Sequence, residues 1–160
     1  MVWPESVERV TRFLREAAAE ARIEEFPGGT PTAKDAAEAA GCELSQIVKS
    51  LVFLCDSRAV VVMVPGDRRA DRSKVTAAAG CRQARIAGAE EVEEATGFAP
   101  GAVAPFPLRR VDRVFVDQNV LAHKIVWIGA GSPNHMAALA PAELLRLTRA
   151  QPIDAVEVDA

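Results

Sequence analysis

The sequence predicts an α+β fold, a curved mixed β-sheet surrounded by helices, in one domain spanning residues 1–160. Three observations predict it. Helical periodicity and strand-like runs both occur, and they follow one another without a regular βαβ rhythm. Two β-branched runs, 47–55 and 59–64, are separated only by Asp56-Ser57-Arg58, a hairpin-sized turn. The 160 residues are 49% hydrophobic and 26% charged, the balance of a globular domain with a sizeable core.

The elements read in order as follows. From about Pro4 to Ala21, Val7, Val10, Leu14 and Ala17 recur at helical spacing, with Arg and Glu on the other face. Ile23 to Phe26 reads as a short strand, closed by Pro27-Gly28-Gly29. Thr32 is a good N-cap with Asp35 three residues on, so Lys34 to Ala40 forms a helix that Gly41 ends. The two strands 47–55 and 59–64 come next, and Pro65-Gly66-Asp67 breaks the second. Asp71 or Ser73 caps a helix running to Ala79. Gln83 to Ala87 is a strand, and Glu90 to Thr96 an acidic helix ended by Gly97. A Gly- and Pro-rich loop covers 97–107. Strands follow near Arg113–Val116 and Lys124–Ile128, then a second flexible-looking loop at 129–134. A segment His135–Ala140 leads to a final helix from Pro141, a favoured first helical position. Ile153–Val158 reads either as a last strand or as a tail.

The formal charge of −3 excludes a globally basic nucleic-acid binder, so any such contact must be local. Cys42, Cys55 and Cys81 are odd in number and lack CxxC spacing. With His123 and His135 far from them they make a poor metal set, and the expectation is reduced buried thiols in a cytoplasmic protein. The first residues mix Glu and Arg with apolar side chains, so neither a signal peptide nor a membrane span is expected. No GxSxG, Walker A, HExxH or GxGxxG after a strand occurs. There is no tyrosine, and Trp3 and Trp127 are far apart, which argues against a base-stacking platform.

Lys49 carries the most information. In a strand over 47–55 it shares a face with Ile47, Leu51 and Phe53. An ammonium on a packed face is costly without a partner, an anion or a water-filled cleft. At a sheet edge or strand mouth it would snorkel to water instead. The run by itself leaves both readings open. The 97–107 loop, with Gly97, Pro100 and Gly101, can either expose backbone N–H groups to a substrate carbonyl or serve only as a connector. His135 follows a loop, as acid, base or donor at a cleft rim or as a satisfied surface histidine. Asp117 ends a strand, where it either contacts a ligand or caps the Gln118-Asn119 turn. Arg68, Arg69 and Arg72, and separately Arg109, Arg110 and Arg113, form local basic patches fit for phosphates or for a solvated face. No Ser or Cys has an obvious adjacent base, which leaves no nucleophile to name.

Taken in order, these pieces resemble the YbaK/EbsC family. The resemblance rests on Thr30-Pro31-Thr32, the run from Gln46 through Lys49 to Phe53, Val64-Pro65-Gly66-Asp67-Arg68-Arg69, the loop from Thr96 to Phe106, Gly129-Ala130-Gly131, and Leu144 to Leu147. It covers about 27–158, with 1–26 an N-terminal helix and lead-in. This family is the free-standing relative of the editing domain of bacterial prolyl-tRNA synthetase, and its known members hydrolyse mischarged aminoacyl-tRNA. The resemblance implies that Lys49, Gly101 and His135 are catalytic. It implies that Gly97, Pro100, Phe106, Gly131 and Ser50 bind substrate. Ala104 stands where the family usually has serine, which leaves a hydroxyl there without a role in this chain. The expected activity is water attack on an aminoacyl ester, with no cofactor or metal. The expected partners are the tRNA acceptor end carrying a wrong amino acid and an aminoacyl-tRNA synthetase. A non-catalytic module holding an acceptor end or a protein partner is the alternative.

Overall fold

The computed structural model describes residues 2–158. Met1, Asp159 and Ala160, the ends of the expected 1–160 domain, lie outside the described residues.

Helix α1 (Glu5–Glu16) buries Val7, Val10 and Leu14 at the spacing that predicted it. Strand β1 (Ala21–Glu25) follows. Helix α2 (Ala33–Ala40) is capped by Thr32, whose Oγ1 accepts from the Asp35 N–H. Strands β2 (Val48–Cys55) and β3 (Arg58–Pro65) form the expected hairpin. Asp71 is the N-cap of α3 (Arg72–Ala79). Then come β4 (Ala84–Ile86), α4 (Ala89–Thr96), β5 (Arg113–Asp117), β6 (Val126–Ser132), β7 (His135–Leu139), α5 (Pro141–Thr148) and β8 (Gln151–Ile153).

The α+β class is as predicted, with the strands divided between two sheets. One is antiparallel, in the order β1-β7-β6. The other is mixed, in the order β4-β2-β3-β5-β8, with β3, β5 and β8 parallel. A parallel bridge between Ile47 and Trp127 joins them at the start of β2. The larger sheet is buried on both faces. Val48, Val52, Val61 and Met63 pack into a core shared with α1, β6, β7, Phe98 and Phe106. Phe53, Val60, Val62, Val64 and Phe115 pack on the other face against Val75 of α3. Burial on two faces explains why β3 reads as an unbroken apolar run rather than an alternating one.

Three expectations are corrected. The segment 129–134 is no flexible loop: its first four residues belong to β6, and only Pro133-Asn134 turns into β7. Glycines stand in this strand because other backbone passes too close for a side chain. A Cβ on Gly131 would lie 2.6 Å from the Ser6 carbonyl oxygen, and one on Gly129 would collide with the Val103 carbonyl. The last strand is Gln151–Ile153, and the rest of 153–158 contributes an isolated bridge from Val156 to Ala70. Finally, Cys55 and Cys81 are not reduced thiols but a disulfide, with Cα atoms 5.6 Å apart. Pairing of β2 with β4 sets Cys55 opposite Ala84, three residues from Cys81. A separation of 26 residues hides that proximity from sequence spacing. Cys42 is free.

Candidate active site

The Lys49 strand supplies one wall of a cleft of about 280 Å³. Alternation along β2 puts Lys49 opposite Val64, on the face of Leu51 and Phe53, and Ser50 opposite Met63, on the face of the main core. The cleft curls round this end of β2, so both neighbours reach it. Thr30, Thr32 and Ala36 close one side, Gly101 and Val103 another, and Gly129, Ser132, His135 and Met136 of the β6–β7 hairpin the third.

Lys49 is half-buried. Its Nζ donates to the Arg68 carbonyl oxygen at 3.2 Å. Burial pushes its pKa down, the neighbouring Arg69 adds to that, and Asp67 partly opposes it. No carboxylate forms an ion pair with it among the described contacts, so the cation keeps capacity for an anionic or carbonyl oxygen.

Gly101 reaches the cleft through a turn. The Ala102 N–H donates to the Ala99 carbonyl at 3.0 Å, which places Pro100 and Gly101 at the central positions. Gly101 has φ +81°, the conformation a type II turn demands at its third residue. Pro100 presets the second. The turn is anchored at α4: Thr96 Oγ1 accepts from the Phe98 N–H, and the Arg110 N–H donates to the Ala95 carbonyl.

His135 is 2% exposed. Its Nδ1 lies 2.6 Å from Ser132 Oγ, and its Nε2 lies 3.5 Å from Glu25 Oε2. Trp3 meets its ring edge-on, with centroids 5.0 Å apart. Burial lowers the His135 pKa, and Glu25 partly opposes the shift, so the ring is neutral near pH 7. The hairpin tip that carries it is fastened by the 26–30 segment, with the Phe26 N–H donating to the Asn134 carbonyl and the Thr30 N–H to that of Pro133. A bulge between Gly129 and Ser132 aims Ser132 and His135 at the cleft. Among the described residues, Ser50 Oγ and His135 Nε2 are the buried polar side-chain atoms without a hydrogen-bond partner. Both belong to residues of this one cleft. Unsatisfied buried groups are uncommon in folded proteins; His135 Nε2 is turned toward Glu25, 3.5 Å away, which leaves Ser50 Oγ as the buried group that a ligand's polar atom would satisfy.

The structure thus brings together four of the residues singled out in the sequence: Lys49, Ser50, Gly101 and His135. The others stand elsewhere. Gly97 ends α4, and its carbonyl accepts from Arg9 Nη2 at 2.6 Å. Pro100 is exposed at the turn. Phe106 is buried in the core, stacked on Phe13 with centroids 4.8 Å apart. Gly131 packs against α1, its carbonyl accepting from Ser6 Oγ. Asp117 is a cap and not a ligand contact: it is fully buried and accepts from the Asn119 and Ala155 N–H groups. The sequence reading passed over Glu25 and the pairing of Ser132 with His135, and it took Gly129 for part of a loop. Ser132 precedes His135 by three residues, and only the strand-turn-strand geometry reveals that the two side chains meet. No group of three or more His, Cys, Asp or Glu side chains among the described residues is placed to hold a metal ion.

The chain is similar to known proteins over most of its length. Residues 28–147 match the aminoacyl-tRNA editing domain. The uncharacterized protein YwhH of Bacillus subtilis (strain 168) is 35% identical over 123 residues, which cover 76% of this chain and 78% of that protein. A proline–tRNA ligase of Limosilactobacillus fermentum is 30% identical over 112 residues. These cover 67% of this chain but only 20% of the ligase, so the chain corresponds to about a fifth of that enzyme. A solved protein described as a proposed trans-editing enzyme for prolyl tRNA synthetase superposes with a TM-score of 0.92 at 38% identity, covering 98% of this chain and 100% of the other. The chain belongs to the aminoacyl-tRNA editing domain family.

Proposed function

We propose that the protein is a trans-editing hydrolase that deacylates mischarged aminoacyl-tRNA by water attack on the aminoacyl ester. The observation that carries this reading is the half-buried Lys49 cation in a cleft shared with the Gly101 turn and the buried His135. An aminoacyl ester is already activated, so its hydrolysis needs a positioned water and a stabilised oxyanion more than a strong nucleophile. Lys49 is suited to anchor the terminal nucleotide's phosphate or the ester oxygen as a point charge. The turn's own hydrogen bond joins Ala102 to Ala99 and leaves the Gly101 N–H for the carbonyl of the substrate. Ser50 Oγ, buried without a partner, is suited to hold the amino acid. The cleft's volume fits a small aminoacyl group with its ribose, not a longer oligonucleotide, so the rest of the acceptor end lies outside it. The partner of this reading is tRNA, and prolyl-tRNA synthetase is the synthetase whose errors the relatives point to.

The test is a deacylation screen over alanyl-, cysteinyl-, seryl- and threonyl-tRNA, with Lys49→Ala as control. Hydrolysis of at least one substrate well above the spontaneous rate, lost in Lys49→Ala, is expected. Saturable binding of aminoacyl-tRNA with no turnover on a broad panel would replace this reading with that of a non-catalytic binding module.

A further inference from the structure

We infer that Ser132, His135 and Glu25 form a proton relay in the cleft wall, in which Ser132 contacts the attacking water and Glu25 is a positioning residue. The inference rests on the deacylase reading above and names the groups that would activate its water.

The hydrogen-bond pattern assigns the protons. Ser132 Oγ accepts from the Asn134 N–H at 3.0 Å, which leaves its own hydrogen free to be donated. The nitrogen 2.6 Å away is His135 Nδ1. A neutral imidazole carries one N–H, and the two tautomers differ in what they show to Glu25. The Glu25 carboxylate, an acceptor only, faces Nε2 at 3.5 Å. It is attracted by an Nε2–H and repelled by an Nε2 lone pair. The favoured tautomer therefore has the proton on Nε2 and leaves Nδ1 to accept from Ser132. The contact is built into the sheet, since β1–β7 register sets Glu25 directly opposite His135. Trp3, edge-on to the imidazole, restricts rotation of the ring. Glu25 is the charged group facing the ring. Trp3 from the N-terminal segment and Ser132 from the hairpin are uncharged, and Lys49 stands elsewhere on the cleft wall.

The step balances as follows. A water hydrogen-bonded to Ser132 Oγ gives it a proton as Oγ passes its own to Nδ1. The water oxygen bonds to the ester carbon. The resulting imidazolium, steadied by Glu25, then returns one proton through Oγ to the ribose oxygen as the ester C–O bond breaks. Free amino acid and deacylated tRNA leave, and the relay is restored. Glu25 and Trp3 both precede residue 28, where the match to the editing domain begins. The N-terminal segment, on this view, completes the site rather than merely leading into it.

Two measurements on the full chain decide the matter. The first is the His135 tautomer from long-range ¹H–¹⁵N correlations, assigned with a His123→Gln variant. Nε2–H in the wild type, with loss of that preference in Glu25→Gln, is expected, while an Nδ1–H tautomer in the wild type overturns the relay. The second is steady-state deacylation. Ser132→Ala should lower kcat by ~10²-fold or more with KM little changed, in keeping with loss of a positioned general base. Glu25→Gln should lower kcat less and move the acid limb of its pH profile to lower pH. Wild-type kcat in Ser132→Ala overturns the proposal. Absence of hydrolysis by the wild type overturns the deacylase reading itself, and the tautomer, read without turnover, separates that failure from failure of the relay.

Discussion

Lys49 Nζ is held by the main-chain carbonyl of Arg68, 3.2 Å away on the far side of the β3 turn, and not by a carboxylate. A backbone oxygen anchors an ammonium without neutralising it. Lys49 thus lines the cleft from β2 with no carboxylate in ion-pair contact among the described residues, and its burial, only partly offset by Asp67, makes it harder to protonate.

Such a group is placed for function more than for stability. Lys49→Met removes a partly desolvated charge and keeps the aliphatic stem. We expect chemical denaturation to find stability unchanged or raised within ~1 kcal/mol. Deacylation should fall by ~10²-fold or more, the order seen when one transition-state contact is removed. A variant that loses stability and activity in parallel would mean that Lys49 is structural.

The glycines of the site differ in what an added methyl group meets. At Gly101 nothing lies within 4 Å, but φ is +81°. Gly101→Ala should therefore cost about 1–2 kcal/mol from backbone strain alone. At Gly129 the methyl group would run into the Val103 carbonyl. Gly129→Ala should push the 97–107 segment away from the hairpin, costing ~2–4 kcal/mol by analogy with other overpacked or strained sites. Thermal melts of the two variants, compared with the wild type, test the order.

His135 makes stability pH-dependent. Its folded pKa is lowered by burial below the usual value of 6.5. On acidification the unfolded chain takes up this proton before the folded one does. The unfolded state then binds more protons, so stability is complete above pH 6.5 and is lost as the pH falls from there through the folded value. Urea unfolding between pH 7.5 and 5 should show a smaller loss in His135→Gln than in the wild type. Equal losses would mean that carboxylates elsewhere account for all of the acid sensitivity.

The Cys55–Cys81 disulfide ties the end of the Lys49 strand to the segment between α3 and β4, away from the cleft. Closing a loop of 26 residues stabilises by roughly 3 kcal/mol in the chain-entropy view. Denaturation with and without reductant should differ by about that amount, while deacylation at 25 °C should be nearly unaffected. Loss of activity on reduction with no loss of stability would point to a redox role that the geometry does not show.

Much of this molecule was legible one element at a time. Val7, Val10 and Leu14 announce α1, Thr32 with Asp35 announces the start of α2, and the alternation of Lys49 with Leu51 and Phe53 fixes which face of β2 the cation occupies. These are local signals, in which period, caps and turn residues act over a few neighbours. The signals failed where a residue's conformation answers to distant backbone. Gly129 and Gly131 read as a loop because glycine is a turn residue, yet here they are strand positions thinned to admit Val103 and Ser6.

The sequence by itself determined helices α1 and α2, the β2–β3 hairpin, the strand parity of Lys49 and the Pro100-Gly101 turn, because those depend on sterics and hydrogen bonds between near neighbours. Only the tertiary structure decided that Phe106 is core, that Cys55 meets Cys81, and that Glu25, Ser132 and His135 converge. Each of those depends on strand register, which is set by the summed burial of two sheets and is carried by no single stretch of chain.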